Sequence, residues 1–138
     1  MVTVLVIDHD PKRLSLVSSR LEGVLGLTVS KARQDLLTVR LFRKTRPGLV
    51  LLGLDELDSW MLTALVRADA TVPVVGYSAG TDNDGVRKAV LSGARNLLST
   101  NASREQFLSA ILEALRPEDS MADGALVQIA SLEVRAAA

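Results

Sequence analysis

Asp8, His9 and Asp10 stand in succession directly after the nearly all-apolar run VTVLVI. Carboxylates grouped so closely can hold a hard cation through oxygen, and a carboxylate can also accept a phosphoryl group. Three more short polar sites close apolar runs further along the chain: Gly53-Leu54-Asp55, Ser78, and Ser99-Thr100. Cysteine is absent, which excludes disulfides, thiolate metal sites and cysteine nucleophiles and fits a cytoplasmic setting. Each singled-out residue also has a plain reading. Asp8 is a strand-end carboxylate, Asp10 a helix cap, and His9, the sole histidine, a surface side chain.

The elements that must position these groups alternate in kind. Residues 2–7 form a short β-branched run of the sort buried on both faces of a sheet. Asp10 followed by Pro11 then opens a helix whose apolar stripe is Leu14, Val17 and Leu21, with Gly23 to end it. A weaker strand is expected over 27–30 and a helix over about 34–45, stopped by Pro47. LVLL at 49–52 is a second fully buried strand. Asp58 or Ser59 caps the next helix, which carries Met61, Leu62, Leu65 and Val66. The strand over 72–77 tolerates Pro73 only near its start. Asp82 or Asp84 opens a helix bearing Val86, Ala89 and Val90, and a short strand covers 96–98. Ser103 with Gln106 reads as a capping box for a last helix, closed by Pro117.

Five strand–helix pairs in sequence predict a three-layer α/β/α sandwich around a five-stranded parallel sheet, because right-handed crossovers place helices on both faces. In such a sheet, ligands gather outside the carboxyl ends of the strands, where the polar sites named above fall. The chain divides into a domain over 1–117 and a tail or linker over 118–138, whose Ala and Glu content favours helix. Sixteen basic residues balance sixteen acidic ones, so the chain as a whole has no pull toward nucleic acid or anionic membrane, although local patches are open to it. Residues 1–5 show no positive region leading into a long apolar stretch, and no signal peptide is expected. Aromatic content of 3% argues against a stacking platform for single strands.

Four motifs in order give a resemblance. VLVIDHDP at 4–11, RPGLVLLG at 46–53, VPVVGYSA at 72–79 and GARNLLST at 93–100 resemble the conserved segments of response-regulator receiver domains, over about residues 2–115. The resemblance implies a flavodoxin-like (β/α)5 receiver topology and a role in two-component signalling. It also implies a degenerate phosphorylation pocket made of Asp8, His9, Gly53, Ser78 and Thr100. In the family's pattern the third strand ends in the phosphorylated aspartate; here it ends in Gly53, which has no side chain. The second magnesium-holding acid is His9, a poor ligand for a hard cation, and the lysine that pairs with the phosphoryl group is Thr100. Ser78 matches the switch hydroxyl, and the aromatic switch position is Leu97.

Loss of nucleophile, metal ligand and cation together leaves no route to aspartyl phosphate. The expectation is a non-enzymatic, phosphorylation-independent interaction module with no cofactor and no metal. Its partner would be a protein or a fused transcriptional or ATPase output domain, with nucleic acid reached only through that output and no membrane contact. By resemblance, the interaction face takes in the last two predicted helices and the strand between them, with Arg87, Lys88, Arg95, Asn96 and Arg104. A homodimer there would pair differently from many DNA-binding members, whose acidic pair is Arg95-Asn96 here. The alternative is an unorthodox phosphoacceptor using Asp55, switched by a histidine kinase. A small molecule in the vacated pocket ranks last, because no glycine-rich phosphate loop follows the first strand. Trp60 or Tyr77 is expected to fold over that pocket. Arg40, Arg43, Lys44 and Arg46 read as partners for the negative end of their helix, with nucleic-acid contact as the other reading.

Overall fold

Residues 4–7 alternate between two separate cores, and that alternation makes the architecture. Val4 and Val6 pack with Val17, Leu21, Tyr77, Phe107 and Ile111, whereas Leu5 and Ile7 pack with Phe42, Met61, Leu62 and Leu65. A strand covered on both faces needs apolar side chains at every position, which is why its sequence shows no polar alternation. The computed structural model describes residues 2–54, 59–78 and 93–116. Within them the order is β1 (Val2–Asp8), α1 (Pro11–Leu21), β2 (Leu27–Arg33), α2 (Thr38–Thr45), β3 (Leu49–Gly53), α3 (Ser59–Ala68), β4 (Val74–Ser78), β5 (Asn96–Ser99) and α4 (Arg104–Ala114). The five strands are all parallel, in the order β2-β1-β3-β4-β5. Side chains from α1 and α4 share one core and those from α2 and α3 the other, giving the expected three layers.

Helix starts follow their capping chemistry. The Asp10 carboxylate accepts from the Lys12 N–H at 2.9 Å, and Pro11 takes the first turn, where its missing N–H costs nothing. Ser103 and Gln106 close a reciprocal capping box at the start of α4, as the sequence predicts.

Several boundaries differ from expectation. β2 runs on to Arg33 rather than stopping at Ser30, with the Gln34 N–H donating to the Asp8 carbonyl at 3.0 Å. α2 accordingly begins at Thr38 instead of about Gln34. Asp35 and Thr38 form a turn before it, in which the Asp35 N–H donates to Thr38 Oγ1 and the Leu37 N–H to Asp35 Oδ1. β4 starts at Val74, after Pro73 has contributed its carbonyl to Val50, and β4 and β5 each extend one residue further, to Ser78 and Ser99. The helix expected from Asp82 or Asp84, the residues Arg87 and Lys88 on it, Asp55, Asp58 and the 118–138 tail lie outside the described residues.

Strand order reverses beside β1, with β2 on one side and β3 on the other. Asp8, which ends β1, and Gly53, which ends β3, therefore flank the crevice where this class of sheet places its ligands.

Candidate functional site

Asp8 is fully buried at the end of β1, yet it remains a carboxylate because four donors converge on it. Arg13 approaches from the first turn of α1 with both ends of its fork: Nε donates to Oδ2 at 2.9 Å and Nη2 to Oδ1 at 2.8 Å. The Tyr77 hydroxyl donates to Oδ2 at 2.7 Å from β4, and the Asp10 N–H donates to Oδ1 at 2.9 Å. Burial alone pushes this carboxyl upward, but the bonds from Arg13, the Asp10 amide and Tyr77 outweigh it and hold Asp8 below the usual carboxylate range. Burial foremost, then the hydrogen bond to Asp8 and that carboxylate's charge, drive the Tyr77 phenol well above its usual value, so it stays a donor.

The carboxylate also occupies space. A Cβ added at Gly53 would lie 2.6 Å from Asp8 Cγ and nearer still to Asp8 Oδ2. Only a residue without a side chain leaves room for Asp8 in this position. At the place the sequence reads as vacated by Gly53 lies the Asp8 carboxylate, bonded to the Tyr77 hydroxyl, one of the two residues expected to fold over, and to the Arg13 guanidinium. Trp60, the other residue expected to fold over, is half exposed on α3.

The remaining sequence-predicted residues are placed as follows. His9 is exposed, with Nδ1 3.6 Å from Asp8 Oδ1. Ser78 ends β4 half-buried, opposite Ser99, and its carbonyl accepts from the Thr100 N–H at 2.9 Å. Thr100 is buried, and its hydroxyl has no hydrogen-bond partner among the described residues. Arg20 grips that loop from α1: Nη1 donates to the carbonyls of Thr100 and, at 2.7 Å, Ala102, while the guanidinium lies over the Phe107 ring. Of the interaction-face residues that are described, Arg95 donates to the Ala114 carbonyl at 3.1 Å. Asn96 is half-buried and accepts from the Leu97 N–H, and Arg104 is exposed at the start of α4.

Arg13 and Arg20 are the functional-site residues that the sequence reading missed. A signal for Arg13 exists: the Asp10-Pro11 cap fixes where α1 begins, and a residue two positions after that proline lies in the first turn beside the end of β1. Among the described residues, the side chains at this cleft do not make a magnesium site. Both oxygens of Asp8 are engaged by a guanidinium and a phenol, and no group of three or more histidine or carboxylate side chains gathers among the described residues.

No family model and no curated protein matches the sequence. Solved structures do match. A response regulator from Thermotoga maritima superposes with a TM-score of 0.74 at 20% identity, covering 83% of this chain and 98% of that one. The chain has the receiver-domain fold. A LuxR-family two-component response regulator from Aurantimonas matches with a TM-score of 0.75 at 17% identity over 96% of this chain and 99% of that one. A CheY-like protein, TadZ, from Pseudomonas aeruginosa matches at 0.67 and 21% identity over 83% and 93% of the two chains. Among the described residues no helix is long and apolar enough to cross a membrane.

On this receiver fold the Tyr77 hydroxyl is a neutral, fully buried side-chain donor to Asp8. Tyr77→Phe is expected to cost roughly 1.5–3 kcal/mol, the range for a hydrogen bond to a charged group. Urea unfolding checks it, and the Tyr77–Phe107 edge contact, with ring centroids 6.4 Å apart, is retained in the variant.

Proposed function

We propose that this chain is a degenerate receiver that signals by binding a protein partner or output domain and not by aspartyl-phosphate chemistry. The observation that carries the reading is the Asp8 carboxylate lying over Gly53 while paired to Arg13. A receiver reaction needs a free nucleophilic oxygen and a divalent cation to neutralise the phosphoryl group. Here the nucleophile's place is filled by another residue's side chain, and the chain supplies its own positive charge. Likeness to receiver structures supports a place in two-component signalling, and the LuxR-family regulator among them supports a fused or separate output.

Incubation with magnesium and acetyl phosphate, followed by intact-mass measurement, tests the reading. The expected result is an unchanged mass. A stable gain of one phosphoryl group that Asp55→Asn abolishes would replace it with the unorthodox phosphoacceptor.

A further inference from the structure

Charge on this neutral chain is unevenly distributed. Six basic residues, Lys31, Arg33, Arg40, Arg43, Lys44 and Arg46, fall between positions 31 and 46 beside a single acid, Asp35. All six are exposed. Among the described residues, none of the four on and just after α2 has a carboxylate within salt-bridge distance.

The same helix leaves apolar side chains in water. Thr38 and Phe42, one turn apart, are the buried side of α2. Leu37 and Leu41, also one turn apart, lie about 100° round the helix from that side and are 64% and 39% exposed. Leu36, which precedes them, is 92% exposed. Lys44 continues the Leu37–Leu41 stripe by another turn, and Arg40 and Arg43 run along its outer side, opposite Thr38 and Phe42. The outer face of α2 is therefore a row of cations with exposed leucine along one border, a pattern that differs from an ordinary solvated helix.

We propose that this α2 face docks on an anionic lipid surface. Lysine and arginine side chains reach the headgroup phosphates while neighbouring leucines enter the acyl boundary. Leu36 and Leu37 project, and a fluid surface accepts projecting side chains without a matching cavity. A second copy of the chain suits the face poorly, because two-fold pairing sets its cations against their copies. Nucleic acid would use the cations and leave the leucines in water. Zero net charge removes long-range attraction but not the local field, which acts within a Debye length of about 8 Å at physiological salt. None of the α2 residues or Leu36 and Leu37 belongs to the strand-end cleft, so this proposal and the one above fail independently.

Co-sedimentation of the full chain with vesicles is the test, comparing pure phosphatidylcholine with phosphatidylcholine containing about 30% phosphatidylglycerol. Binding is expected to the anionic vesicles alone, weakening several-fold when salt rises from about 0.15 M to about 0.5 M. Leu36→Ser with Leu37→Ser should lower the partition about tenfold or more, and Arg40→Gln with Arg43→Gln should do the same, with circular dichroism unchanged. The positions are exposed, so folding is preserved. Failure to sediment with anionic vesicles overturns the proposal, whether or not the face later engages a protein. Binding that ignores the leucine substitutions, or retention of duplex DNA by the same face in place of vesicles, overturns it as well.

Discussion

Gly53→Asp, the substitution that would restore a receiver's usual acid, is expected to destabilise the protein by roughly 3–5 kcal/mol and to leave it unphosphorylated. Two effects combine. The new Cβ would stand 2.6 Å from Asp8 Cγ, closer than real Cβ atoms come to any neighbour, so the Asp8 side chain must leave its bonds with Arg13 and Tyr77. A second carboxylate would then share one buried space with the first, and like charges so placed cannot both stay ionised. Urea unfolding followed by fluorescence of Trp60, the chain's single tryptophan, measures the loss. Adding Asp8→Ala removes the collision and offers Arg13 and Tyr77 a new carboxylate. The double variant should therefore be more stable than Gly53→Asp alone, a coupling of about 0.5–3 kcal/mol expected only of residues in contact. Equal stabilities would show that Asp8 does not fill the space over Gly53.

Arg13→Met is expected to cost about 3 kcal/mol, because it leaves a buried carboxylate with two donors in place of four bonds. Its effect on acid sensitivity is more diagnostic. The folded-state pKa of Asp8 lies below its ordinary value, so its stabilisation is fully present above about pH 4, the unfolded carboxylate range, and is lost as pH falls through the lower folded value. Without the guanidinium, burial is opposed only by Tyr77 and the Asp10 amide. The acid loss should then begin at higher pH than in the parent chain. Unfolding midpoints measured from about pH 7 down to about pH 3 would show the curve displaced upward. Superimposable curves would mean that Arg13 does not set the charge state of Asp8.

How much of this could be read from the sequence varied by element, for identifiable reasons. β1 and β3 were plain because strands covered on both faces must be apolar throughout. α1 and α4 announced their starts through Asp10-Pro11 and Ser103–Gln106. β2 and α2 were harder. β2 lies at the sheet edge, where Ser30, Lys31 and Arg33 face partly toward water and interrupt any pattern. The turn that delays α2 depends on Asp35 and Thr38 side chains bonding to nearby backbone, a choice that competes with helix and leaves the composition of the segment unchanged. In the site, Asp8, Gly53 and the nearness of Tyr77 were legible, since their positions follow from strand ends. Arg13 was not singled out. A basic residue near the start of a helix reads as a solvated side chain, and only the distance set by the β1–α1 corner turns it into a partner for a buried acid.

Where that acid finds its compensation has a further consequence. A dissolved ion comes and goes with its concentration, whereas Arg13 is tethered five residues from Asp8 along the same backbone. Chelators, dilution and the metal content of the medium have no purchase on such a pairing. It assembles when the β1–α1 corner folds and parts when that corner opens, so the protein carries its counter-charge as a fixed endowment of its own chain.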